Sequence, residues 1–110
     1  MVTDRTQTDE LRELFGNVSC AAEGGVTLYA LPLLLLPEGC APSSLEALLC
    51  PVPRDGYDSR LYFAQRVQSP HERNWGQHRL LDRNWWAFSW RTHPGLRLAQ
   101  MISIHLEGLT

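Results

Sequence analysis

Asn74-Trp75-Gly76-Gln77-His78-Arg79-Leu80-Leu81-Asp82-Arg83-Asn84-Trp85-Trp86-Ala87-Phe88-Ser89-Trp90 holds all four tryptophans of the chain, and Arg91 follows it directly. An aromatic ring buries roughly 150–250 Å², and no other stretch of the sequence concentrates so many. Two readings follow. In one, the window is a core-forming strand or turn with at least two rings inside. In the other it is a binding ledge, because tryptophan and arginine are the residue types most enriched at interface hot spots. That ledge would comprise Trp75, His78, Arg79, Arg83, Trp85, Trp86, Phe88, Trp90 and Arg91. Successive side chains of a strand point to opposite faces. One of the adjacent Trp85 and Trp86 is therefore expected to be partly exposed, or covered by a partner.

Beyond the window, Thr92-His93-Pro94-Gly95 is a break. Leu98, Met101, Ile102, His105 and Leu109 then recur at helical spacing on one face, which predicts a helix over 95–107 closed by Gly108. His105 on that apolar face reads as a satisfied core-edge histidine. At the other end, residues 1–7 are polar and read as loose. Thr8 precedes Asp9-Glu10, and Leu11, Leu14 and Phe15 lead to Gly16. This pattern predicts a short helix over 8–15, with an N-cap, acids at the positive end of the dipole and a C-terminal glycine.

Between these ends the chain alternates apolar runs with turns. Val18 to Ala22 reads as a strand, Glu23-Gly24-Gly25 as its turn, and Val26 to Leu36 as a long strand. Pro32 interrupts that second strand, which implies an edge position or a bulge, and its near-continuous leucines imply that both faces are covered. Pro37-Glu38-Gly39 is a turn, Ser44 to Val52 a further apolar run, Pro53-Arg54-Asp55-Gly56 a second turn, and Leu61 to Val67 a strand. Gln68 to Asn74 is loop-like. The expected architecture is α+β: one domain over 1–110, with an antiparallel meander of about four strands, an irregular aromatic segment, and a helix at each end.

Composition narrows the function. Hydrophobic residues at 44% and charged residues at 20% argue against wholesale disorder. A net charge of −2 is too small to steer the whole molecule to nucleic acid or an anionic membrane. All ten basic residues are arginine. The absence of lysine fits arginine-rich codon usage, and it also fits a protein working beside a lysine-modifying machinery. No signal peptide is visible, and the apolar run Leu28–Leu36 is far shorter than the roughly 20 residues a spanning helix needs. The expected location is the cytoplasm.

Cys20, Cys40 and Cys50 contain no Cys-x-x-Cys pair, and His71, His78, His93 and His105 are dispersed, so no metal or cofactor is expected. Cys20 and Cys50 lie in apolar or strand-like runs and read as small buried hydrophobes. Cys40 follows Gly39 in a turn and is the most exposed of the three by this reading. A nucleophilic cysteine must be exposed and have a depressed pKa or a nearby base.

Three stretches, taken in order, resemble the ubiquitin-conjugating-enzyme (UBC-like) fold, in particular the bacterial branch called prokaryotic ubiquitin-conjugating family E. They are Leu36-Pro37-Glu38-Gly39, then Pro51-Val52-Pro53-Arg54-Asp55-Gly56-Tyr57 running into Leu61-Tyr62-Phe63, then Trp85-Trp86-Ala87-Phe88-Ser89-Trp90. The resemblance covers about residues 26–109. It departs at Asp58, where the family carries a proline after the tyrosine. It departs more seriously in having no cysteine after Cys50, where an active conjugating enzyme places its thioester cysteine. His93-Pro94-Gly95 carries two letters of the family's histidine-proline-asparagine turn but lies too near the last helix.

The resemblance implies a protein of a bacterial ubiquitin-like conjugation pathway that acts as a non-catalytic adaptor or scaffold, with a ubiquitin-like protein or its activating enzyme as partner. An active enzyme with a relocated thiol is the alternative, and Cys40 and Cys50 are the positions left to carry it. From a different class, the same rings and arginines could stack and neutralise a single-stranded nucleic acid. Against that reading, Glu72 and Asp82 dilute the local positive charge.

Overall fold

A computed structural model of the chain describes residues 5–110. The element order is α1 (Arg5–Phe15), β1 (Ser19–Glu23), β2 (Val26–Leu35), β3 (Ser44–Cys50), β4 (Arg60–Phe63), β5 (Trp75–Leu80), β6 (Arg83–Phe88) and α2 (Leu98–Glu107). All six strands belong to one sheet in the order β1-β2-β3-β4-β6-β5, and every neighbouring pair is antiparallel. The α+β class and both helices match expectation. The strand count does not, because the aromatic window is a sixth of the chain folded as a hairpin, β5–β6, and not an irregular segment.

That hairpin turns on Leu81 and Asp82, both at positive φ (52° and 59°), the two-residue geometry that follows the natural twist of paired strands. A leucine rarely adopts this conformation, which costs roughly 1–2 kcal/mol per residue. Here Leu81 packs against buried side chains and its N–H donates to Glu23 Oε2 at 2.8 Å.

Other boundaries shift for local reasons. α1 begins at Arg5, so residues 5–7 are helical and Thr8 is buried within the helix and not its cap. The expectation for residues 1–4 lies outside the described residues. Leu11 is fully buried, but Leu14 points outward at 62% exposure. Gly16 ends the helix with φ +87° and donates to Arg12 O at 3.0 Å. β2 is an inner strand, so Pro32 sits at a bulge, where the register with β3 shifts between Leu31 and Leu34. β4 stops at Phe63, and Val67 is buried in the loop beyond it. α2 starts at Leu98 and not at 95, its first N–H capped by Gln7 Oε1 at 2.8 Å.

Each face of the sheet carries a buried core, built by different means. β2 is covered on both faces only as far as Leu31: past the Pro32 bulge Leu34 is buried while Leu33 (62%) and Leu35 (72%) are exposed, a correction to the reading that its leucines are covered on both faces. Leu11, Leu98, Ala99 and Ile102 of the two helices cover Tyr29, Leu31, Leu34, Ala47, Leu49, Leu61, Phe63 and Phe88 on the first face. On the second face Leu28, Leu48, Cys50, Tyr62, Leu80, Trp85 and Ala87 pack together with no helix above them. The β5–β6 hairpin supplies the cover. β6 pairs with β4 at a single position, Phe63 with Trp86. The hairpin tip then reaches Glu23 at the β1–β2 turn, and Arg83 makes a bidentate bond to Glu46 of β3, both arms 2.9 Å. The sheet curls, and Trp85 fills the hollow with its indole N–H donated to Leu80 O at 3.1 Å. No helix among the described residues is long and apolar enough to cross a membrane.

Candidate protein-binding face

Strand alternation divides the nine residues of the expected ledge between the two sides of the sheet. Cross-strand partners share a face, and the register pairs Trp75 with Phe88, Gln77 with Trp86 and Arg79 with Asn84. Trp75, Gln77, Arg79, Trp86 and Phe88 therefore lie on the helix side. His78, Arg83 and Trp85 lie on the other.

Burial separates them further. Trp85 (1% exposed) and Phe88 (3%) are core residues, so their rings present no contact surface, a correction to the sequence reading. Trp90 is half-buried against the first core and donates its indole N–H to Ile104 O at 2.9 Å, with Arg73 stacked over its ring at 4.8 Å. Arg83 is held over Trp85 at 4.4 Å and paired to Glu46, so it locks the hairpin. Arg91 is exposed, and it donates to Gly56 O at 3.2 Å and leans over the Tyr57 ring at 5.4 Å.

What remains on the helix side is a smaller face. Trp75 is half-buried, edge-on to Phe63 and Phe88 at centroid distances of 5.7 and 5.1 Å. Trp86 is half-buried and belongs to neither core cluster. Among the described residues neither indole N–H has a hydrogen-bond partner, whereas those of Trp85 and Trp90 do. Tyr62 Oη is the one buried side-chain polar atom left without a partner among the described residues, so both open indoles retain access to solvent. Exposed Gln77, Arg79 and Asn84 flank Trp86, with Arg79 Nη1 donating to Asn84 Oδ1 at 3.4 Å. Among the described residues β5 is also a sheet edge, with no strand paired on its outer side. Beside Trp75 opens a groove of about 390 Å³ lined by Arg66, Val67, Gln68, Ser69, Glu72 and Arg73. Sequence reading missed this groove because its loop, residues 64–74, carries no periodicity.

The candidate nucleophiles are poorly placed. Cys40 is half-buried, donates Sγ–H to Leu109 O at 3.7 Å, and burial pushes its pKa up, opposite to what a thioester cysteine needs. Cys50 is fully buried at the end of β3. Cys20 is exposed on edge strand β1. A serine–histidine pair does exist: Ser59 Oγ lies 3.0 Å from His105 Nε2 and 2.7 Å from Thr92 Oγ1. Both Ser59 and His105 are buried to within 2%, and burial, with Arg60 nearby, lowers the His105 pKa to about 4. The histidine is thus a neutral partner inside the core, and no substrate carbonyl reaches the serine. Among the described residues no group of three histidine, cysteine or acidic side chains is placed to hold a metal ion.

No protein-family model, no curated protein and no solved structure matches this chain.

Proposed function

We propose that the chain is a non-catalytic adaptor, a UBC-like domain of a ubiquitin-like conjugation pathway, and that it docks a ubiquitin-like protein or the activating enzyme on the Trp75–Trp86 face. The observation that carries the docking face is the pair of tryptophans on one side of an edge hairpin with open indole N–H groups. Tryptophan joins a large apolar area to a single directional donor, the combination that dominates interface hot spots. The UBC-like part of the reading rests on the three quoted sequence stretches and on the order of helix, antiparallel meander, aromatic segment and helix. The state of the thiols favours an adaptor over an enzyme: the one exposed cysteine, Cys20, lies on β1, the first strand of the meander, and not after its fourth strand.

The test is a pulldown with a ubiquitin-like protein and with an activating enzyme as separate baits. Trp86→Ala abolishes retention and His78→Ala, on the opposite side of the sheet, preserves it. Equal loss in both variants, or retention in neither the wild type nor the variants, counts against the proposal. Incubation with activating enzyme, ATP and the ubiquitin-like protein yields no thiol-sensitive adduct. An adduct lost in Cys40→Ser or Cys50→Ser means an enzyme. Salt-dependent quenching of tryptophan fluorescence by a single-stranded oligonucleotide would point to the nucleic-acid class instead.

A further inference from the structure

The sheet has two edges, β1 and β5, and backbone alternation decides how much each offers to a further strand. Along an antiparallel pair, every second residue turns its N–H and C=O toward the neighbour, and the residues between turn theirs away. On β5 the phase is fixed: Asn74 O accepts from Ser89 N–H at 3.2 Å, and the next pair inward is Trp75 with Phe88. Gly76, His78 and Leu80 therefore bond to β6. Trp75, Gln77 and Arg79 turn their backbone groups outward, where no strand pairs among the described residues. On β1 the Glu23–Val26 pair that flanks the Gly24-Gly25 turn sets the phase, and it leaves only Cys20 and Ala22 facing out. β5 is the better template.

Natural edges are protected by proline, lysine, a bulge or an inward charge. β5 contains no proline and no lysine, its register with β6 is unbroken, and Arg79 lies to one side of its centre. It does contain Gly76. A glycine inside a strand weakens it, and marks a bulge, a positive φ or the close approach of another backbone. The unbroken register excludes a bulge, and the φ of Gly76 lies outside the left-handed region. A Cβ built there meets only His78 Nε2, at 3.5 Å, an ordinary contact. Among the described residues nothing requires a glycine at 76. An approaching strand does.

We infer that two copies of the chain pair through β5, antiparallel about a two-fold axis at Gln77, into one continuous sheet. The outward residues are centred on Gln77, so the axis maps the set onto itself. Gln77 meets Gln77 of the second copy, and Trp75 meets its Arg79, each pair exchanging both N–H···O bonds. The side chains of all three lie on the helix side. Each Arg79 guanidinium thus arrives beside a Trp75 ring, the combination that gives cation–π attraction. Arg79 is exposed, and its bond to Asn84 is long at 3.4 Å, so the guanidinium is available. On the other side of the sheet Gly76 falls opposite His78 of the second copy, in the closely spaced kind of pair, and the missing Cβ leaves room for that ring. No like charges stand opposite one another along β5. A foreign strand would use the same backbone groups, but the symmetric register also assigns Gly76 and Arg79 a partner.

A strand of six residues buries less than the roughly 1,200 Å² of a stable interface. The dimer is therefore weak, with Kd of roughly 10–500 μM. The axis stands perpendicular to the sheet and keeps both helix-covered faces on one side. Trp86 is the β6 partner of Gln77, so the two Trp86 rings fall in one row, three strand spacings or roughly 14 Å apart. The dimer goes beyond the docking reading and does not rest on it: pairing uses the backbone edge, and docking uses the Trp86 ring.

Sedimentation of the full chain between about 5 μM and 1 mM tests it. The average mass rises reversibly from 12.5 kDa toward twice that value. Over the same range amide exchange slows at Trp75, Gln77 and Arg79 and is unchanged at Cys20 and Ala22. Gln77→Pro removes one outward N–H, which a strand edge tolerates, and it stays monomeric. Gly76→Val raises strand propensity, so it keeps Tm yet weakens the dimer roughly ten-fold, which a merely structural glycine would not do. Trp86→Ala dimerises like the wild type, so failure of pairing and failure of docking are read separately. A chain monomeric throughout, a dimer that survives Gln77→Pro, or protection on β1 and not on β5 overturns the inference. If Gln77→Pro does not fold, the exchange pattern of the wild type decides.

Discussion

The helix-covered face of the sheet and the hairpin-covered face are equally dry, yet they are built from different materials. The first is aliphatic and aromatic apart from the buried Ser59–His105 pair, with Leu11 and Ile102 brought in by helices. The second mixes leucines with Trp85, Tyr62, Cys50 and the guanidinium of Arg60, and it is closed by a two-stranded flap tied down through Glu23 and Glu46. A helix lid buries area without needing directional bonds. A hairpin lid must satisfy the backbone at its tip and hold its own angle, so its cover depends on a few polar ties. The difference places unspent polar capacity on the second face and open tryptophans on the outer side of its lid.

Removing the ring under the flap gives the largest effect. Trp85→Ala empties the hollow and loses the bond to Leu80 O. A stability loss of about 3–5 kcal/mol is expected, read as a lower denaturant midpoint. If the loss is under 1 kcal/mol, the second face is not a core.

Acid attacks the first face next. His105 is buried neutral with a folded pKa near 4, below its unfolded value near 6.5. The stability it contributes is therefore fully present above pH 6.5 and lost as pH falls toward 4. The loss comes to about 3 kcal/mol. Denaturant midpoints taken between pH 7.5 and 4 check this, and His105→Gln flattens the slope.

Gly108 sharpens the comparison at the helix end. A Cβ built there lies 2.6 Å from Phe88 Cε2 and 2.8 Å from Trp90 Cδ2. Gly108→Ala forces both rings to shift, and a cost of about 1–3 kcal/mol is expected in thermal unfolding. The smallest effect belongs to the polar tie of the flap. Arg83 and Glu46 are both more than a third exposed, so Arg83→Met costs about 1 kcal/mol or less. Its signature is faster hydrogen exchange confined to β5 and β6.

Much of the frame was legible because its punctuation was local. Gly16, Gly24-Gly25 and Pro32 mark a helix end, a turn and a bulge by backbone chemistry alone, and each stands where that chemistry requires. The hairpin was not legible, since its turn residues Leu81 and Asp82 lack the usual asparagine-glycine signal and are held by a contact 58 positions away in sequence. The candidate face was half legible. Alternation correctly separated Trp85 from Trp86, but without knowing that Trp75–Phe88 was a hairpin it could not move His78 and Arg83 to the other side.

Four indole N–H resonances report on the account directly. In a ¹H–¹⁵N spectrum of the labelled chain titrated with the ubiquitin-like partner, those of Trp75 and Trp86 shift while those of Trp85 and Trp90, bonded to Leu80 and Ile104, hold still. A titration in which the partner binds and the Trp86 signal does not move would contradict it.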